Sequence, residues 1–340
     1  MTRVRRAAHS RTARVAGLLA LLVLLLLAVQ LSLMVGAKPI SPAVVFDALH
    51  HANSSTDHQI VRELRVPRTL LGLAAGAALG LAGTLMQALT RNPLADPGIL
   101  GINAGAAAAV VAVISVFGVS AFSGYVWFAF AGAALAAVVV YALGSAGQGG
   151  VNPVRLALAG TAVAFACVAV TQAVITLDPE AFNEFRFWIV GSLAGRDAGT
   201  LVPLLPFLAL GALLALGLAR ALNALALGED TGRALGAHVI RTRAISAVAI
   251  VLLCGAATAA VGPIAFLGLA VPHAARRLVG ADHRWILPYA MVLAPLLLLV
   301  SDIIGRVVVS PSEVQVGIVT AFVGGPVFIA LVSRRRIAAL

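Results

Sequence analysis

Charge is scarce in this 340-residue sequence: 11% of it is Asp, Glu, Lys or Arg, against about 25% in a soluble domain. Lysine is nearly missing. Lys38 stands alone and is followed by Pro39, so no Gly-Lys-Ser/Thr phosphate loop exists and ATP cannot be bound in that way. No lysine lies in an apolar run, where Schiff-base chemistry would need one. The two cysteines, Cys167 and Cys254, sit inside apolar stretches without metal or redox spacing and read as small buried hydrophobes. No His-Glu-x-x-His or paired-Cys zinc motif occurs. His50, His51 and His58 share one polar stretch, where a solvated loop fits better than a metal site because no clustered carboxylate or cysteine is seen beside them. Neither a catalytic set nor a resident cofactor is expected.

Apolar residues dominate instead, at 61% of the chain. A chain this apolar cannot cover a water-facing surface, so lipid is its solvent, and a span needs about 20 apolar residues. The runs read as spans are 15–36, 66–88, 99–118, 124–144, 154–176, 200–220, 244–262, 264–279, 286–304 and 315–333. The fold expected is an all-α, polytopic transmembrane bundle of about ten spans, forming one domain over 1–340. The eighth run is short, which leaves a half-helix or re-entrant segment open around Gly262-Pro263 to Arg277. The first run follows five arginines and is longer than the roughly 7–15 residues of a signal-peptide core, so it is read as an uncleaved span.

The net charge of +11 does not point to nucleic acid, because the basic residues fall in short connections rather than in one stripe. With the N-terminus in the cytoplasm, 17 of the 24 basic residues fall inside and seven outside. The positive-inside rule therefore favours both termini inside and an even number of spans. No acid falls at a span midpoint, so ion coupling of the secondary-transporter kind finds no foothold. Asp302 lies four residues before Arg306, placing the two on one helix face as a structural pair.

Three connections are more than turns; one is the outer segment 37–65, which holds the three histidines. The outer segment 177–199 carries Phe182, Phe185, Phe187 and Trp188 and then Gly191-Ser192, and reads either as an interfacial helix or as a gate at the outer mouth. The inner segment 222–241 contains Leu227, Gly228, Glu229, Asp230, Arg233, Ala234, Leu235 and Gly236. Glu229 and Asp230 suit a helix start, Arg233 pairs at i+4, and Gly236 ends the helix. Its apolar residues would stay exposed unless something packs on them, so it is read as a docking element for a cytoplasmic subunit rather than a helix lying on lipid. A weak echo between 92–101 and 261–268 hints at inverted repeats.

Taken in order, several stretches resemble the FecCD/BtuC-type permeases of ABC importers for iron–siderophore complexes, haem and cobalamin. They are Arg65-Val66-Pro67-Arg68-Thr69-Leu70, Asn92-Pro93-Leu94-Ala95-Asp96-Pro97-Gly98, Phe187-Trp188 with Gly191-Ser192-Leu193, Leu227-Gly228 with Ala234-Leu235-Gly236, Gly262-Pro263-Ile264-Ala265-Phe266-Leu267-Gly268, and Ser301-Asp302-Ile303-Ile304-Gly305-Arg306. The wording at Gly280-Ala281-Asp282-His283 and after Asp302 is similar to permeases of the ferric-enterobactin type. The resemblance implies a type II importer permease in the bacterial inner membrane, a second permease subunit (heterodimer favoured, homodimer possible), a cytoplasmic ATPase dimer and an extracytoplasmic binding protein. It implies coupling through the 222–241 region and binding-protein docking at Arg65, Arg68 and Arg306, understood as exposed charges. Ferric catecholate is the first substrate expected, with haem or cobalamin as alternatives. Two departures stand out. Gln315-Val316-Gly317 replaces the usual Pro-Val-Gly, and Gly232 stands where alanine is common, which would loosen the coupling helix by up to about 1 kcal/mol.

Overall fold

The computed structural model describes residues 10–333 except 52, 120, 147–152, 197, 235, 237 and 311. Among the described residues the secondary structure is helix and turn throughout, with no strand. The helices are α1 (Arg11–Met34), α2 (Pro42–His50), α3 (Thr56–Thr90), α4 (Ile102–Phe117), α5 (Phe122–Ser145), α6 (Pro153–Leu177) and α7 (Pro179–Ile189). They continue as α8 (Leu205–Gly217, entered through a short turn from Ala198), α9 (Ala219–Ala226), α10 (Glu229–Ala234), α11 (Val239–Val261), α12 (Leu267–Val279), α13 (His283–Val308) and α14 (Val316–Ser333).

Local chemistry sets many of the helix starts. Ser10, Ser41, Ser55, Asp178 and Asp282 stand in extended backbone, and each side chain accepts a first-turn N–H, with Pro42 and Pro179 at the opening of α2 and α7. Among the described residues, seven helical segments are long and apolar enough to span a membrane, including α1, α3, α5, α6, α11 and α13; two shorter apolar stretches are α4 and 316–326. The eighth expected span is α12, with 13 residues. That is about 20 Å, short of the roughly 30 Å hydrocarbon core. Gly262 (φ 77°) and Phe266 (φ 66°) break the chain between α11 and α12.

The stretch 37–65 is not the loop that its polarity predicts. It folds into α2 and the first turns of α3, which is 35 residues long rather than the 23 of the expected run. Asp47 explains the difference around the histidines: its Oδ1 lies 2.9 Å from His51 Nδ1 and its Oδ2 3.2 Å from His58 Nε2. His58 is thereby buried, only 4% exposed, rather than solvated. Both ring nitrogens lie at hydrogen-bonding distance from the one carboxylate.

The middle of the protein is α3. Its apolar stretch is 78% buried, against 11% for α1 and for α6, so α3 is the central pillar and the other two are peripheral. Its glycines make this possible. Gly72, Gly76, Gly80 and Gly83 recur every three or four residues on one face. A Cβ at Gly76 would meet the Pro295 backbone, one at Gly80 the Ala290 carbonyl, and one at Gly83 the Gly268 carbonyl. So α3 lies in backbone contact with α13 and α12, the small-residue packing typical of membrane helices. The echoed segments also meet, since a Cβ on Gly268 would lie 3.1 Å from Pro97 Cδ.

Gly83→Val will force α3 and α12 apart. The expected cost is about 3 kcal/mol or more, at or beyond the upper end for overpacking, read as a lowered unfolding midpoint of the detergent-purified protein. Gly118→Ala, in open space but at φ 62°, will change it far less.

Candidate functional site

The charged residues gather at two ends of the helix bundle. At one end α3 begins and α13 finishes. Arg306 lies on α13 with Asp302 one turn before it; its Nε donates to Asp302 Oδ2 at 2.9 Å, and a second nitrogen reaches the same oxygen. It also donates to the Ser32 carbonyl at 2.8 Å and to Ser32 Oγ at 2.9 Å. From α3, Arg68 forks onto Asp302 (2.7 Å) and reaches Glu313 (2.7 Å). Arg65 donates to the carbonyls of Leu33 and Lys38, which lie at the C-terminal turn of α1 and beyond, and Ser32 Oγ and Thr69 Oγ1 share a hydrogen bond of 2.8 Å. Carbonyls that no longer have an intrahelical donor are thus capped by two guanidinium groups. A cleft of about 520 Å³ opens over this network, lined by Lys38, Glu63, Arg65, Arg68, Arg196, Arg306 and Glu313 among others.

This geometry corrects the exposure expected of the three arginines. Arg306 is 2% and Arg65 6% exposed, and Arg68 is largely enclosed. They hold α1, α3, α13 and the approach to α14 together, because a buried guanidinium must find acceptors for its five N–H groups. The Asp302–Arg306 pair is present as its spacing predicts.

Beside the cleft lies the 177–199 segment. Asp178 accepts from the N–H groups of Glu180 and Ala181 at 3.0 Å; the Ala181 bond foremost, then the Ser115 side chain, hold its carboxyl below the usual range. In α7, Phe185 and Trp188 are buried in the core while Phe182 is exposed. The chain then turns at Gly191 (φ 77°) and is stapled twice: Ser192 N–H donates to Val261 O at 2.8 Å, and Gly317 N–H to Gly191 O at 3.1 Å. A Cβ at Gly317 would strike the Val190 carbonyl, and one at Gly262 the Trp188 carbonyl. The α7 exit, the α11–α12 break and the start of α14 therefore meet at three glycines. The replacement of Pro by Gln315 leaves Gly317 in this contact.

At the opposite end, α9 and α10 form a hook. Gly232 is buried, and a Cβ there would sit 3.1 Å from the Ala224 carbonyl, so the missing methyl lets α10 nest against α9. Arg233 lies 3.6 Å from Glu229 at i+4, and Gly236 (φ 82°) follows the end of α10. Leu227 is 63% exposed, and Asp230, Arg233 and Ala234 also face out. Leu235 lies outside the described residues, as do Arg3, Arg5, Arg6, Arg334, Arg335 and Arg336. Asp282 ties this end together: it caps α13, accepts from Asn223 Nδ2 at 2.6 Å and pairs with Arg284 and Arg14. The Arg284 side chain first, then Asn223, hold its carboxyl well below the usual carboxylate range. Within the bundle, Gln87 donates to the Leu269 carbonyl at 3.1 Å and accepts from Arg276, joining α3 to α12. The residue types of this pair gave no warning of it, since the partners lie 189 positions apart.

The model of the FecCD transport family matches residues 24–334. The chain belongs to the FecCD transport family. Among curated relatives, it is 52% identical over 316 residues to the ferric enterobactin transport system permease protein FepD of Escherichia coli (strain K12), covering 93% of this chain and 94% of that one. The hemin transport system permease protein HmuU of Yersinia pestis is 37% identical over 84% of this chain and 87% of its own length. A solved structure described as a metal-chelate type ABC transporter in an inward-facing conformation superposes with a TM-score of 0.83 at 27% identity, covering 94% of this chain and 99% of that one. The all-α fold read from the sequence is therefore that of a FecCD permease.

Asp302→Asn will leave Arg306 and Arg68 buried without their shared counter-ion. A cost of about 3–5 kcal/mol is expected for a broken buried pair, seen as loss of the folded protein or a large drop in its unfolding midpoint. Asp230→Asn, on a fully exposed carboxylate, will leave the midpoint within about 0.5 kcal/mol.

Proposed function

We propose that this FecCD permease is the membrane subunit of an ATP-driven importer for iron–siderophore complexes, with a ferric catecholate as substrate. The observation that carries the reading is the 52% identity, over nearly the full length of both chains, to a ferric enterobactin permease. The chain has no phosphate loop, which supports a non-catalytic role with hydrolysis in a separate cytoplasmic ATPase dimer. Haem and cobalamin are the competing cargoes.

The arginine bias supports an orientation with both termini, Asp282 and the α9–α10 hook in the cytoplasm, and the Arg65–Arg306 cleft outside. Ten crossings then require α4, α12 and α14 to complete the span set. The exposed side of α6 carries Thr161, Phe165, Gln172 and Thr176, spaced along one face. An amide in contact with lipid is costly. A second permease subunit facing α6, with a pathway between the two, would relieve that cost; a heterodimer is favoured. Residues 177–199 serve as the outer gate, with Phe182 on its surface and Phe185, Trp188, Gly191 and Ser192 fastening it to the helix ends. ATPase coupling is assigned to Leu227, Gly228, Glu229, Asp230, Arg233, Ala234, Leu235 and Gly236. The binding protein docks over the outer cleft, where Arg65, Arg68 and Arg306 act through their field rather than by direct contact.

Vesicles holding the complete transporter should take up ferric enterobactin only with ATP and binding protein. Uptake of haem or cobalamin instead would change the cargo, and uptake without the ATPase would overturn the importer reading. Lys38→Glu reverses an exposed charge on the cleft rim, 58% exposed. It should weaken binding-protein docking about tenfold at low salt and less at high salt; an unchanged Kd at both would remove this cleft from the docking surface.

A further inference from the structure

Glu229 opens α10, yet its carboxylate does not face the cytoplasm as that of Asp230 does. Side-chain exposure is 34% for Glu229 and complete for Asp230. Three arginines surround it. Arg243, near the start of α11, donates to Glu229 Oε1 at 2.6 Å. Arg91, just past the end of α3, stands 3.9 Å from the same oxygen, and Arg233 lies 3.6 Å from Oε2. Among the described residues, the ion pairs that join α10 to the spans both end on Glu229.

The two span arginines are not equivalent. Arg243 is bonded. Arg91 is at ion-pair distance only, and its Nε and Nη2 are buried without a hydrogen-bond partner. Buried guanidinium nitrogens normally find acceptors. Arg91 also ends α3 in the left-handed region, at φ 49°, a conformation unfavourable for a residue other than glycine. A shift of roughly 1 Å would bring the carboxylate and Arg91 within hydrogen-bond range.

We propose that Glu229 is a positioning residue that carries the motion of α10 to the spans, its carboxylate bonded to Arg243 in the state seen here and passed to Arg91 when α10 moves. The central pillar α3 and the interrupted pair α11–α12 are then driven from one point on the hook. Asp230 and Leu227, on the outer surface of the hook, are left for the ATPase. The inference rests on the coupling role proposed above for α10.

The test uses the complete transporter in vesicles, with radio-iron ferric enterobactin as probe and ATP hydrolysis measured in parallel. ATP-driven uptake by the unaltered protein checks the transport reading; its absence overturns that reading. Given uptake, Glu229→Gln should lower the iron imported per ATP by about tenfold, within the usual range of coupling between linked sites, with the ATPase co-purifying in unchanged ratio. A purely structural role would lower yield and leave that ratio alone. Arg91→Gln removes no hydrogen bond of this state, so it should assemble normally and lower the same ratio. The exchange Glu229→Arg with Arg243→Glu restores the resting pair but faces Arg91 with a like charge, so it should not recover the ratio. An unaltered import-to-hydrolysis ratio in Arg91→Gln, or in an assembled Glu229→Gln, overturns the proposal.

Discussion

Backbone-to-backbone approach along α3 is the contact on which the rest of the molecule is built. In lipid, apolar side chains gain little by leaving their surroundings for one another, so helices associate through dispersion at close range and through the few polar groups they share. Gly72, Gly76, Gly80 and Gly83 remove the side chains that would hold α13 and α12 away. Once α3 is clamped in this way, the position of both its ends is decided. Arg68 arrives beside Asp302 at one end, and Arg91 arrives beside Glu229 at the other.

The two ends then use charge differently. At the Arg306 end, the guanidinium groups and Asp302 are largely buried, nearly every guanidinium nitrogen of Arg65, Arg68 and Arg306 has an acceptor, and the carbonyls after α1 depend on them. Such a network tolerates little movement, because parting any pair strands a charge away from water. At the Glu229 end the pairs are part-exposed and one arginine is incompletely bonded. Part-exposed ion pairs exchange partners at small cost. The Arg306 end is thus the closely bonded one and the Glu229 end the looser. Between them, Gly191, Gly262 and Gly317 bring the exit of α7 onto the breaks beside α12 and α14.

Much of this was legible from residue types and spacing. Apolar runs about 20 residues long announced the membrane and the all-α fold, since lipid permits few other spanning structures. Asp302 and Arg306 announced their pairing by a four-residue interval, and Glu229, Arg233 and Gly236 announced a short helix with its stop. Runs of polar residues misled at 37–65, because hydropathy cannot distinguish a solvated loop from a helix whose polar groups satisfy each other, as Asp47, His51 and His58 do. Exposure misled at Arg65 and Arg306, because a basic residue beside a span normally reaches water.

The sequence by itself determined the solvent, the helical class, the family and the ends at which charge collects, all of them properties of local composition and periodicity. Only the tertiary structure decided what those charges are for. Arg68 meets Asp302 across 234 positions and Gln87 meets Arg276 across 189. Nothing in either neighbourhood specifies the other; the glycine face of α3 does, by fixing how close, and at what height, its neighbours pass.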